Sequence, residues 1–431
     1  MSDRSRASVR QAALDRVEAM HAETIGLLGE LLSIPSPTGS EAAAQAWVAE
    51  QFSALGLEVD VFDCDPEAMA TLPGWTPSKW SYENRPNVVG VWKGTGGGRS
   101  LILNAHIDTV PVEPVELWSH DPWGATIVGD RMYARGAVDD KGGIVDILAA
   151  VRALQEAGFE PAGDIILQSA IDEEAAANGT LACMARGYTA DAAWMVDGSP
   201  LGRAYTNHSG QVQFVIRVYG SGGSPVRWDR ETDAIHLAMQ VAEALRGLRD
   251  RKRAAPLPGG WNAIENELHF SVGRIRGGEW YSNIPAKCEI ECCMAFNPPD
   301  SLESIRQEIR ETVDAFARQD PWLRGHPPEI EFEGLATEPV WLLREDDPFY
   351  RTFARVHEEI AGIPVRWITV NAWCDIRHFS FHQYTPALIL GPGSGGGAHA
   401  PDEYIELPSM VPVIQFVAAM AMEWCGSEVQ A

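Results

Sequence analysis

A chain of 431 residues is too long for one ordinary domain and suits two, and its 45% hydrophobic content provides for a sizeable core. With 60 acidic against 34 basic groups the formal net charge is −26, which argues against a surface that neutralises nucleic-acid phosphate or docks on an anionic membrane. The start, Met1-Ser-Asp-Arg, leads into no apolar segment, and no uninterrupted apolar run reads as a bilayer span. Seven scattered cysteines without a CxxC pair suggest reduced thiols and a cytoplasmic protein.

Apolar residues at helical spacing (Leu14, Val17, Met20, Ile25, Leu28, Leu31) predict a helix over 10–32, stopped by Pro35 and Pro37. Ser40-Glu41 starts another, with Ala44, Trp47, Val48 and Phe52 on one face. Strand-like runs then alternate with helices: 57–62, 87–92, 101–106, a helix over 142–157, 164–170, a helix near 179–186, and 192–196. That alternation predicts an α/β three-layer domain with a mixed, largely parallel sheet. Ligands collect at the C-terminal ends of such strands, where His106, Glu173 and Asp197 fall.

The pattern changes after about 207. A strand (211–219), a helix (233–248), two strands (267–274 and 288–296) and a helix (302–319) predict a small α+β module. The α/β pattern resumes with a helix over 347–361, strands at 366–370 and 386–390, and a C-terminal helix from about 408. The simplest account is a larger domain, 1–207 with 330–431, split by an inserted domain at 208–329. Gly94–Gly98 reads as a turn. Gly391–Gly396 spells G-x-G-x-x-G, but no β-α-β unit follows it, so it is not read as a dinucleotide site.

Taken singly, each polar candidate has an ordinary reading. His106 is a strand-end histidine, and one of Asp139 and Asp140 is a helix N-cap. Glu173-Glu174 is an acidic helix start, Asp197 before Gly198 a turn former, and His399 a loop residue. Together they fill the roles of a two-metal hydrolase: a bridging carboxylate, further nitrogen and oxygen ligands, and a free carboxylate as base.

The runs His106-Ile-Asp108-Thr-Val-Pro, Arg135-Gly-Ala-Val-Asp139-Asp-Lys-Gly-Gly, Asp172-Glu173-Glu174, Asp197 and His399-Ala-Pro-Asp-Glu403 resemble, in order and spacing, those of the M20 metallopeptidases. The resemblance implies that His106 and Asp197 bind one ion, Glu174 and His399 the other, and Asp139 bridges. Glu173 would be the general base and acid, and Asp108 would orient His106. It implies one or two divalent ions per subunit (zinc or manganese, with cobalt a further option), a small-molecule substrate, and an inserted lid through which subunits pair as a homo-oligomer. Lys141 matches a family position and also reads as a surface lysine at a helix start.

Three departures shape the expected reaction. Ser224 stands where the family's lid histidine is expected, and His208 matches a different position before the first lid strand. The run 294–299 lacks an arginine often found there. Trp373 replaces small residues, while Arg377 matches a position that binds substrate carboxylate in some relatives. Trp373, Arg377, Ser224, His208 and Asn283 are therefore the substrate-binding candidates. Losing one oxyanion donor typically costs an acyl-transfer enzyme about 10²–10³ in rate. The expectation is a C–N hydrolase, most specifically one that deaminates an electron-poor aromatic amine such as 5-nitroanthranilate, an aromatic carboxylate. The alternatives are an amidohydrolase or peptidase releasing an amino acid, and a metal-binding protein without catalysis.

Overall fold

A computed structural model describes residues 3–227, 232–258, 261, 268–381 and 384–426. The chain forms two compact units. One comprises Met1–Thr206, Leu342–Ile368 and Cys374–Ala431, and the other Asn207–Trp341 with Thr369–Trp373.

The first unit is built on a mixed sheet in the order Glu58–Asp63, Pro86–Trp92, Ile165–Ala170, Leu101–His106, Ala192–Met195, Ala387–Ile389, Arg203–His208. Its centre is parallel: 101–106 lies between 165–170 and 192–195, and 387–389 continues parallel to 192–195. The strands near both edges are antiparallel. The 101–106 and 165–170 strands are buried along their whole length, which accounts for their near-continuous apolar sequence. Leu101, Leu103 and Leu167 face helices Lys141–Glu156 and Leu407–Cys425 in the main core. On the opposite pleat, Asn104 Nδ2 donates to Thr180 Oγ1 (3.1 Å) of helix Asn178–Ala185, so helices cover both faces.

Two expectations change. The helix expected over 10–32 is two, Asp3–Ala19 and His21–Leu32, because Met20 leaves helical geometry at ψ 6°. Leu407–Cys425, with mean hydropathy 1.3, is long and apolar enough to cross a bilayer by composition, contrary to the sequence reading. Of that segment 67% is buried, against helices 141–156 and Pro348–Ala361, so packing in the core explains its apolar character.

The first unit also holds a small antiparallel sheet that the sequence reading missed: Gly395–Gly396, Tyr404–Glu406, Arg131–Tyr133 and Thr126–Val128. Its strands are two or three residues long, too short for periodicity to reveal.

The second unit is an antiparallel sheet in the order Phe270–Gly277, Lys287–Phe296, Gly210–Tyr219, Glu329–Glu331, with Ala336–Thr337 also on the 210–219 strand. Helices Ala234–Arg253 and Leu302–Gln319 pack together on it. Val212, Phe214, Ile216 and Val218 alternate inward to meet Leu237, Val241 and Ile309. The strand expected from Glu267 begins at Phe270, and Glu267 lies outside the described residues.

Candidate active site

The 101–106 strand delivers His106 at the carboxyl end of the parallel sheet. Its ring Nδ1 donates to the backbone carbonyl of Asp108 at 2.9 Å. The other nitrogen, Nε2, then faces Asp139 Oδ1 at 3.0 Å. A ligating imidazole needs this arrangement, with one nitrogen held so that the tautomer is set.

Asp139 ends the loop before helix 141–156. The two glycines that open this helix let it approach closely: a Cβ on Gly143 would lie 1.9 Å from the Val196 carbonyl oxygen, and one on Gly142 2.6 Å from that of Ala137. Val196 precedes Asp197, so the Lys-Gly-Gly run brings the Asp139 loop against the Asp197 turn. The ligating atoms of His106, Asp140 and Asp197 lie within 4.8 Å of one another, as do those of His106, Asp139 and Glu174.

His399 comes from the far end of the chain. The small antiparallel sheet sets its loop beside the Asp139 loop, with Ala134 N–H donating to the Glu403 carbonyl (3.1 Å). His399 Nε2 stands 3.2 Å from Asp139 Oδ2 and 3.0 Å from Glu174 Oε2. Asp139 thus offers one oxygen to each histidine. The Glu403 carboxylate, fully buried, accepts the N–H groups of Gly136 (3.0 Å), Val138 (3.0 Å) and Asp139 (3.2 Å) and pairs with Arg135 Nη1 (2.7 Å).

The Asp108 carboxylate accepts from Thr38 Oγ1 (2.8 Å), Glu173 N–H (3.0 Å) and Glu174 N–H (3.3 Å), and stands 3.6 Å from His106 Nδ1. It therefore ties the His106 strand end to the Glu173-Glu174 turn, while its backbone makes the closer contact to the imidazole.

The acids are crowded and half-buried. Burial, reinforced by neighbouring carboxylates, pushes Glu173 well above the ordinary carboxyl range and Asp197 up to about 7. Asp139 and Glu174 raise the His399 imidazole to about 10. Burial works against a charged His106, but Asp108 and Asp139 outweigh it. Glu174 Oε1 and Asp140 Oδ1 are buried with no hydrogen-bond partner among the described residues. Two imidazoles, several carboxylates and two orphaned oxygens fit divalent ions, and such an oxygen-rich set suits zinc, manganese or cobalt alike.

Other candidates fall elsewhere. The Arg377 guanidinium, expected to anchor a substrate carboxylate, is 1% exposed and donates through Nη2 to the carbonyls of Gly74 (3.3 Å) and Ala176. Lys141, read as a surface lysine, is instead buried, with Nζ donating to the carbonyls of Leu31 and Ile34. Four candidates belong to the second unit. His208 is buried, with Nδ1 donating to the Ser209 carbonyl (2.8 Å). Trp373 is half-buried. Ser224 is exposed on the loop after strand 210–219, and Asn283 is exposed in a turn closed by its N–H to the Trp280 carbonyl (3.0 Å). Sequence alone assigns no role to Glu403 and offers one of Asp139 and Asp140 as an N-cap. Asp140 does precede the helix, but its side chain caps nothing and instead accepts the His106 N–H (3.1 Å).

A family model described as "Peptidase family M20/M25/M40" matches residues 102–423. The chain belongs to that family. Among curated M20 relatives it is similar to N-formyl-4-amino-5-aminomethyl-2-methylpyrimidine deformylase of Halalkalibacterium halodurans, at 28% identity over 97% of this chain and 98% of the relative. It is also 28% identical to acetylornithine deacetylase of Vibrio vulnificus, over 88% of this chain and 90% of the relative. A dipeptidase structure from Saccharomyces cerevisiae superposes with a TM-score of 0.74 at 16% identity, covering 97% of this chain and 99% of that one. As a member of this family the chain is a metal-dependent hydrolase acting on C–N bonds.

Proposed function

We propose that this enzyme hydrolyses the amide joining a small acyl group to an amine, in a compact substrate such as a formylated or acetylated heteroaromatic amine. The observation that carries this reading is Glu173. Its carboxyl is half-buried beside the ligand cluster, its N–H is pinned to Asp108, and it is absent from the groups that converge as ligands. Similarity to a pyrimidine-amine deformylase along nearly the whole of both chains supports the substrate class.

In this reading His106 and Asp197 would hold one ion and Glu174 and His399 the other, with Asp139 as the carboxylate that both would share. When bound, divalent ions acidify water and polarise the amide carbonyl. Glu173 takes the proton of the attacking water and delivers it to the departing nitrogen. Asp108 fixes the Glu173 backbone. The burial of Arg377 speaks for a substrate without a carboxylate to be paired there.

Deamination of an electron-poor aromatic amine is the second reading. Ser224 favours it, because an exposed serine stands where the resemblance expects an oxyanion-stabilising histidine. A panel separates the two. Formylated and acetylated amines, a dipeptide and 5-nitroanthranilate are supplied in turn, and released amine, carboxylate and ammonia are measured. Release of ammonia from the nitroarene alone would overturn the amide reading.

We also propose that subunits pair through the second unit, as expected of a lid. The strand Phe270–Gly277 ends its sheet with one edge unpaired among the described residues, which is a template for strand addition. Sedimentation of the purified protein tests this, and a monomer at all concentrations would rule it out. The free state of all seven cysteines supports a reducing, cytoplasmic setting.

A further inference from the structure

We propose that Arg85, Tyr82 and Glu41 form a positioning clamp that sets the direction of Glu173 by holding Asp172. The inference rests on Glu173 being the general base.

Asp172 immediately precedes the two functional glutamates. It adopts φ +68°, a left-handed conformation that costs a non-glycine residue about 1–3 kcal/mol and persists only where the surroundings over-determine it. Its carbonyl accepts the N–H groups of Ala176 (2.9 Å) and Ala177 (2.6 Å), curling the chain behind the glutamates into a tight turn. Its carboxylate is fully buried, and a buried carboxylate needs partners. Arg85 Nη2 supplies one at 3.1 Å to Oδ1, and the Tyr82 hydroxyl another at 2.7 Å to Oδ2.

Those partners are themselves held. Arg85 forks onto Glu41 with bonds of 2.8 and 2.6 Å, and both side chains are almost wholly buried. Glu41 also accepts the Gly39 N–H (2.9 Å). The Tyr82 hydroxyl accepts from Asn178 Nδ2 (2.7 Å), which also donates to the Thr76 carbonyl (2.7 Å). The segment 76–85 therefore grips both ends of the 172–178 turn. On the far side of Asp172, the Glu173 and Glu174 N–H groups go to Asp108. The Glu173 backbone is thus fixed from two directions, by Asp108 ahead and by the clamp behind. Rotation at Asp172 would swing the Glu173 carboxyl away from the ligand cluster.

None of the three clamp residues belongs to the converging ligand groups. Their removal should change the rate of the chemical step and leave ion content intact. A displacement of about 1 Å in a reacting group can cost roughly 10²-fold in rate.

The test uses the full-length metal-loaded enzyme and four variants, Tyr82→Phe, Arg85→Lys, Arg85→Gln and Glu173→Ala. Bound ion per subunit, melting temperature, kcat and KM are measured on the substrate that the panel identifies. Tyr82→Phe and Arg85→Gln are expected to lower kcat by roughly 10- to 100-fold with KM and ion content near those of the parent. Arg85→Lys, which keeps one charged donor, is expected to recover part of the loss. Parental kcat in both Tyr82→Phe and Arg85→Lys overturns the proposal, as does a loss of kcat that merely follows loss of ion or of folded protein. Should Arg85→Gln fail to fold, Tyr82→Phe and Arg85→Lys decide the matter alone. Glu173→Ala separates the two levels of argument: parental activity there overturns the assignment of the base itself.

Discussion

Glu403 Oε1 accepts the backbone N–H of Asp139 at 3.2 Å across 264 residues of chain. The carboxylate takes the loop amides of Gly136, Val138 and Asp139 besides the Arg135 guanidinium, so the loop carrying the bridging candidate is shaped by a residue far along the chain. Truncating Glu403 to Ala leaves Arg135 buried and uncompensated. Loss of one partner of a buried ion pair costs about 3–5 kcal/mol. Denaturant unfolding should show that loss, and elemental analysis should show reduced ion occupancy. Unchanged stability and ion content would refute the role assigned to Glu403.

Stripping the ions should destabilise the fold. The acids of the centre are held near one another in a half-buried site, and without dications their repulsion falls to protonation or unfolding. A ligand present at about 100 times its Kd stabilises the state that binds it by about 2.7 kcal/mol. Chelation should lower the melting temperature by several degrees, and zinc, manganese or cobalt should restore it. A protein that purifies free of these ions and melts identically with and without them would not be a metalloenzyme.

Two glycines should respond in opposite senses to alanine. Gly143→Ala drives a methyl group into the Val196 carbonyl, 1.9 Å from the ideal Cβ position, where backbone cannot yield cheaply. The expected cost is at least about 3 kcal/mol, at the upper end for overpacking. Gly26 lies within helix 21–32 with nothing within 4 Å of its Cβ position. Alanine there should stabilise by about 0.5–1 kcal/mol. Thermal unfolding of both variants checks the pair, and a neutral Gly143→Ala would mean that helix 141–156 does not need its close approach.

His357 should contribute to the acid side of the stability profile. Its Nε2 accepts the Gly202 N–H (2.9 Å) and its Nδ1 donates to the Ile363 carbonyl (3.0 Å), so the buried ring is neutral. Burial lowers its pKa below the usual 6.5. The unfolded chain then takes up the proton first as pH falls. Stability associated with this residue is complete above about 6.5 and drains below it, by up to about 1.4 kcal/mol per pH unit. Unfolding measured from pH 7 to pH 5 should show a shallower decline for His357→Gln than for the parent. Equal slopes would exclude His357 as a contributor.

Long, strongly patterned elements were legible from sequence. The 101–106 and 366–370 strands and the 302–319 helix fall where periodicity sets them. Much of the candidate site was legible too: His106, Glu174 and Asp197 follow strands and Asp139 precedes a helix, places that local pattern can locate, whereas His399 sits in a loop and was legible only through the resemblance of its motif. What pattern could not convey was partnership across the chain. Arg377 in sequence is a cation near an acid, and only the fold shows it spent on carbonyls behind the 172–178 turn. Lys141 looked like a solvated helix start because nothing local records that the carbonyls of Leu31 and Ile34 close over it. Glu403 carried no local signal of its role, since the three amides it holds lie more than 260 residues away.

The small sheet that joins 131–133 to 404–406 has a consequence for how the enzyme matures. His399 and Glu403 leave the ribosome long after His106, Asp139, Glu174 and Asp197. Until then the growing chain carries the acids of the centre with one histidine and an unsupported Asp139 loop. If His399 ligates as proposed, the full ligand set can assemble only once residues 399–403 have been made, and ion binding would report that distant stretches of the chain have met.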